Sequence, residues 1–435
     1  MTGSAKTIGD FVELQRGTTY KSRLLGLPGP ILLGLSTIQR HGGFRRDSIQ
    51  TYGGESPDKL LVRPGELYVS LKDVTQSADL LGAVARLPVD QPVGRLTQDT
   101  VKLVPKDGDA PTDFIYWLLR TPDYREYCFE RATGTTNLGL DRQDFLSFPV
   151  PSPSREQLGL VRLLDTLDDK IELNRRMNRT LEALAQKLFK SWFVDFDPVL
   201  AKSQNRKPFG LADEIAALFP DAFEDSELGP IPKGWNVASL DTLAEFRNGL
   251  AMQKFPPGLG ESLPVLKIAE LRAGSTSGAD QASADLDPRF VVSDGDLIFS
   301  WSGSLMVDVW AGGRAALNQH LFKVVPTDVP QWFCHFWLLE HLEDFQGIAA
   351  DKATTMGHIR RHHLSDAEIV RPDEKILARA DAVIEPLCER VLQNKLQARK
   401  LATLRDLLLP KLLSGEIRVP MADPEAEPVF KEAIT

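Results

Sequence analysis

LTQDTVKLVP at residues 96–105 is written again, with changes, as LNQHLFKVVP at residues 317–326. A long-range repeat settles the architecture before any single element is assigned, because each copy has to fold as a unit of its own. Outward from this pair the matches continue in the same order. GELYVSL at 65–71 matches GDLIFSW at 295–301, and TIGDFVELQRG at 7–17 matches SLDTLAEFRNG at 239–249. Downstream, YWLL at 116–119 matches FWLL at 336–339, and TTNLGLDRQDF from Thr135 matches TTMGHIRRHHL from Thr354. The offset shifts between matches, which places insertions in loops. Within each copy, short runs of alternating apolar and polar residues lie between Gly and Pro, the pattern of strands joined to a few short helices. Each copy is predicted to be an α+β domain.

A long helical stretch follows each copy. The first comes after Pro151-Ser152-Pro153-Ser154, where Ser154 and Gln157 are placed to form a capping box. Leu160, Leu164, Leu167, Ile171, Asn174, Asn178, Leu181, Ala185 and Leu188 then recur at spacings of four and three, the seam of a coiled coil. The second follows Pro372, with Asp373 as its cap. It runs through Ile376, Ala380, Val383, Leu387, Arg390, Asn394, Gln397, Leu401, Leu404 and Leu408, with Pro410 expected to kink its end and Gly415 to stop it. At a constant offset Asn178 falls on Asn394. Neither stripe can be buried alone, so the two helices are expected to pair. The pair should be antiparallel because the chain returns through the second domain. Asn174, Asn178 and Asn394 are polar seam positions, which cost stability and fix register. The predicted division is a domain at 1–152, a helix at 153–195, a connector rich in Pro, Gly and acids at 196–236, a second domain at 237–371, a second helix at 372–416 and an acidic tail at 417–435.

In this order of domain, helix, repeated domain and repeated helix, the sequence resembles the specificity subunit of type I restriction-modification enzymes. The resemblance covers nearly the whole chain. It is carried by DDKIELNRRMNRTLEALAQKLFKSWFVDFDP at 168–198, ELGPIPKGW at 227–235 and LRDLLLPKLLSGEI at 404–417. It implies an α+β fold of two target-recognition domains, each reading one half of a split double-stranded DNA site, separated by two long antiparallel coiled-coil helices that act as a ruler. It also implies partners: two adenine methyltransferase subunits, and restriction subunits that translocate DNA. S-adenosylmethionine, ATP and Mg are then expected on those partners, and no cofactor on this chain. The entrance to the second helix departs from the first copy, with IVRPDEK in place of FPVPSPSREQ.

Motifs for independent chemistry are incomplete. Phe255-Pro256-Pro257-Gly258 has the prolines of an amino-methyltransferase motif but no polar residue before them to accept from the target amine. Gly17-Thr18-Thr19-Tyr20-Lys21-Ser22 lacks the second glycine of a phosphate loop. His358, His362 and His363 have no further spaced ligand for a metal. No catalytic residue and no metal are expected. Cys128, Cys334 and Cys388 lie too far apart for a zinc ribbon and are read as buried thiols. With 42 % hydrophobic residues and no apolar run long enough to span a bilayer, the chain is expected to be cytoplasmic, without a membrane partner.

Candidate DNA contacts are Thr135, Thr136, Asn137 and Arg142 in the first copy, and Lys352, Thr354, Thr355, Arg360 and Arg361 in the second. Arg can make two hydrogen bonds to guanine, Asn two to adenine, and Thr hydroxyls can reach bases or phosphates. The other reading of these segments is a solvated loop whose Thr-Thr pair caps a helix. Lys21, Arg23, Arg45, Arg46 and Lys72, with Arg247, Asn248, Lys254, Lys267 and Arg272, are further candidates that also read as ordinary surface polar residues. The net charge of −9 opposes a grip by bulk electrostatics, and residues 1–152 carry 18 basic and 18 acidic side chains. Partner subunits are therefore expected to supply much of the phosphate contact. Two rival functions stand beside this one: a coiled-coil scaffold whose domains bind proteins, and an enzyme in its own right.

Overall fold

A computed structural model describes residues 6–46, 48–74, 77–107, 110–135, 137–351 and 357–411. Of the residues singled out above, Thr136, Lys352, Thr354, Thr355 and Gly415 lie outside these, as does the tail at 417–435. The chain divides into two compact units, one of Met1–Asp169 with Ala402–Thr435, the other of Lys170–Leu401. Each unit holds one copy of the repeat and part of both long helices.

The repeat is visible strand by strand. In the first unit an antiparallel sheet has the order Val12–Arg16, Thr100–Pro105, Leu67–Ser70, Val84–Arg86. The second has Ala244–Asn248, Leu321–Pro326, Leu297–Ser300, Met306–Val309 in the same places. Register repeats as well: Val12 faces Pro105 as Ala244 faces Pro326. A smaller mixed sheet pairs Ile31–Leu33 with Gly94–Leu96 in parallel, and its counterpart pairs Ser262–Leu266 with Ala315–Leu317. A lysine of the larger sheet reaches across to the smaller in both units. Lys102 donates to Glu66 at 2.5 Å and to the Leu61 carbonyl at 3.1 Å; Lys323 sits 2.7 Å from Asp296 and donates to the Val291 carbonyl at 3.2 Å. Gly17 and Gly249 end the first strand where a neighbouring turn leaves no room for a side chain. A Cβ there would lie 1.9 Å from the Thr97 carbonyl oxygen, or 2.2 Å from that of Asn318.

The first long helix spans Arg155–Phe189 and is entered through reciprocal bonds between Ser154 and Gln157 at 2.8 and 3.2 Å. One wider turn, Lys190–Val194, continues it. The second spans Glu374–Leu408, with the Asp373 carboxylate accepting from the Lys375 and Ile376 amides at 2.9 Å. Their pairing is antiparallel. In the second unit Asn174 donates to Gln397 at 2.8 Å, while Asn178, further along, donates to the Val391 carbonyl at 3.1 Å. In the first unit Asp168 meets Arg405.

Leu164, Leu167, Ile171, Asn174, Asn178 and Ala185 of the first seam are all buried, and Leu181 is half-buried. The second seam needs correction. Ile376 and Ala380 are buried, but the next buried residues are Ile384 and Val391, not Val383 and Arg390. Val383, Leu387 and Leu401 are half-buried and Leu404 is 45 % exposed. A straight α-helix drifts about 20° per heptad against a 3.5-residue repeat, so a seam extrapolated from one end slides off the contact face. The helix ends at Leu408, before Pro410. Residues 196–236 are also more than a connector: Val199, Phe219, Ile231 and Trp235 are buried in the second unit's core with Phe189, Trp192, Phe193 and Trp332. Pro, Gly and acidic residues there form turns and a hairpin, Phe223–Ser226 with Gly229–Pro232, around these apolar anchors.

The seam asparagines are coupled, Asn394 donating to Asn178 at 2.9 Å with both side chains buried. Asn394→Leu is expected to cost about 1–3 kcal/mol, because it leaves the Asn178 oxygen without its donor. Replacing both by Leu should recover much of that loss while weakening register, since two matched apolar groups leave no such orphan. Urea unfolding of the single and double variants measures this; a double variant less stable than the single contradicts it.

Candidate nucleic-acid interface

In the first unit, residues far apart in sequence converge on one open cleft, lined among others by Arg16, Lys72, Gln98, Asp99, Thr133 and Arg142. Arg16 is the last residue of the strand Val12–Arg16, and Arg142 the first of the helix Arg142–Leu146. Asp141 caps that helix, accepting from the Gln143 amide at 2.7 Å. Thr133 and Gly139 exchange backbone hydrogen bonds at 2.9 and 2.8 Å and close a loop, on which Thr135 and Asn137 are exposed. The cap of the following helix is thus Asp141, not Thr135. Lys72 is 3.1 Å from Asp99, which also accepts from Gln98 at 2.9 Å.

The same strand ends and turns meet in the second unit, with different side chains at most positions. Asn248 stands where Arg16 does, and Trp301 and Ser302 stand for Leu71 and Lys72. Gln319 and His320 stand for Gln98 and Asp99, and Arg360 and Arg361 for Asp141 and Arg142. These residues also touch one another. The Trp301 indole donates to Asn248 at 3.0 Å, and Ser302 and His320 share a hydrogen bond at 2.9 Å. Ring centroids of Trp301 lie 6.1 Å from His320 and 6.3 Å from His358. Arg361 donates to the Phe246 carbonyl at 2.8 Å and lies over the Phe322 ring at 5.6 Å. The backbone scaffold is shared as well: Leu140 N–H donates to the Leu71 carbonyl and Ile359 N–H to that of Trp301. Two equivalent surfaces therefore carry unlike chemistry, a guanidinium-lined cleft in one unit and an aromatic, imidazole-bearing one in the other.

The remaining candidates fall outside these two faces. Arg46 is held by Asp90 at 2.8 and 3.2 Å, and Arg45 is exposed in the same loop. Lys21 and Arg23 are exposed around the short turn Ser22–Leu24. Arg247 is paired with Glu245 at 2.7 Å, and this hydrogen bond holds the Glu245 carboxyl below its ordinary range. Lys267 is paired with Asp280, Lys254 is exposed, and Arg272 lines a separate cleft with Gly303, Met306 and Gly357. Sequence reasoning missed Arg16, Gln98, Trp301, Gln319 and His320. For Arg16, Trp301 and His320 the signal lay in the repeat, at positions where the copies differ, Arg16 against Asn248, Leu71 against Trp301 and Asp99 against His320, whereas Gln98 and Gln319 are the same residue in both copies. Among the described residues, no cluster of three or more His, Cys, Asp or Glu could hold a metal ion, and no helix is long and apolar enough to cross a membrane.

No family model matches the chain. Curated relatives do. The specificity subunit of the type I restriction enzyme MjaIX from Methanocaldococcus jannaschii is 27 % identical, over 73 % of this chain and 71 % of the relative. That of HindI from Haemophilus influenzae is 26 % identical, over 81 % of this chain and 89 % of the relative. The fold is shared with the S subunit of a type I restriction-modification system from M. genitalium, at a TM-score of 0.54 and 14 % identity, covering 94 % of this chain and 95 % of that one. In sequence the chain is thus similar to specificity subunits of type I restriction enzymes, and its repeated domains and paired long helices share the fold of one such subunit.

Proposed function

We propose that the chain reads a split site on double-stranded DNA, one recognition domain to each half, and holds the modifying and restricting subunits on that site without catalysing a step itself. The observation that carries this reading is the pair of equivalent faces with unlike side chains. The copies differ elsewhere as well, but a reader of two different half-sequences needs unlike side chains on its two equivalent faces, and these faces have them. Two adenine methyltransferase subunits and the restriction subunits supply S-adenosylmethionine, ATP and Mg chemistry. The long helices set the spacing between the half-sites. Mapping modified adenines in the host genome tests the proposal. The expected motif is two short sequences separated by bases that are not read; a single contiguous motif, or no modification dependent on this chain, contradicts it. A protein-binding scaffold would give the last of these results.

A further inference from the structure

Resting on that reading, we infer that Arg16 and Arg142 read guanine in the half-site taken by the first domain. Both are exposed and line one cleft, one from a strand end and one from a helix start. Among the described residues neither guanidinium is in an ion pair or donates to a protein group, although the cleft holds two carboxylates. Those carboxylates are occupied: Asp99 by Lys72 and Gln98, and Asp141 by the backbone of the helix it caps. Other basic candidates are committed, Arg46 to Asp90, Arg247 to Glu245 and Lys267 to Asp280. A planar guanidinium with its donors facing solvent matches the O6 and N7 acceptors of guanine in the major groove.

The backbone beside both arginines is anchored. Arg95, 3 % exposed, donates to Thr18 Oγ1 at 3.0 Å, the Thr19 carbonyl at 3.2 Å and the Leu96 carbonyl at 3.1 Å. It thereby fixes the chain that leaves Arg16. Arg142 is fixed by the cap at Asp141. Groups ordered before binding lose less entropy when they bind. The second domain cannot make the same contact. Asn248, in the place of Arg16, already accepts from Trp301, and Arg361, in the place of Arg142, is tied to the Phe246 carbonyl. Guanine readout by this pair therefore belongs to the first domain alone.

The test uses the full chain assembled with its methyltransferase partners, and duplexes in which each guanine of the first half-site is replaced in turn by 7-deazaguanine, which lacks the N7 acceptor. The wild-type complex is expected to lose about tenfold in affinity at one or two such positions. Arg16→Ala and Arg142→Ala should each lose about tenfold on the natural site and then show no further loss at the corresponding deaza position. Arg→Lys at either site keeps the charge but not the fork, and should lose discrimination while retaining non-specific binding. An equal loss on all sequences with the deaza penalty intact marks phosphate contacts and overturns the inference, as does a first half-site without guanine or an unchanged motif in both variants. If the complex recognises no split site at all, the proposed function falls too; if it does and only these arginines prove indifferent, the function stands.

Discussion

Asp168→Ala is expected to destabilise the first unit by about 3–5 kcal/mol, the penalty for stripping two enclosed guanidiniums of a shared carboxylate. Arg120 reaches Asp168 at 2.9 Å and Arg405 at 2.7 Å, with side chains only 6 % and 17 % exposed. Arg120 also lies over the Trp117 ring at 4.4 Å. The network joins the first domain to both long helices, so its loss should loosen all three together. It also sets a pH dependence. Burial pushes the Asp168 carboxyl up, but Arg120 and Arg405 outweigh burial and hold it below its ordinary value of 3.8. A carboxyl depressed in the folded state contributes its stability fully above the unfolded value, and that contribution fades as pH falls through the folded one. The gap between wild type and Asp168→Asn should therefore be full at neutral pH and shrink below about pH 4. Urea unfolding at both pH values measures it; a gap of the same size at pH 7 and pH 3 contradicts the assignment.

The larger effect concerns binding. The chain by itself is expected to hold its DNA site no better than a non-specific binder, with a Kd on the order of 10⁻⁶ M or weaker at physiological salt. The complex with methyltransferase subunits should reach the specific range, on the order of 10⁻⁸ M or tighter, a gain of roughly a hundredfold or more. The reason is charge. Affinity for duplex DNA comes largely from phosphates neutralised by Lys and Arg. This chain carries 60 acidic against 51 basic residues, and several of its basic groups at the candidate positions already face a carboxylate. A gel shift with and without partner subunits decides the point, and a tight unique footprint by the isolated chain contradicts it.

Much of the fold was legible because the repeat preserves what the scaffold cannot change. Gly17 and Gly249 recur where a carbonyl leaves no room for Cβ, and Lys102 and Lys323 recur with their acids, Glu66 and Asp296. The helix caps at Ser154 and Asp373 were readable from local chemistry. Leu404 was misplaced because a spacing rule cannot show where one helix rotates away from another. The segment around Trp235 reads as a connector because composition hides a few aromatic anchors among many turn residues. The interface was the least legible. Arg16, Lys72 and Arg142 belong to three separate segments, and only the folded sheet brings them to one cleft. Basic residues chosen by charge alone included Arg46 and Arg247, whose guanidiniums are held by nearby acids.

The most direct measurement of the two-reader claim is modified-adenine mapping after exchange of one recognition domain. Residues 6–150 would be replaced by the corresponding domain of a relative with a different motif, in a complex that still modifies DNA. The expected result is a hybrid site in which one half-sequence changes, the other is retained and the spacer keeps its length. A motif altered in both halves, or unaltered in either, would contradict the assignment of one half-site to each domain.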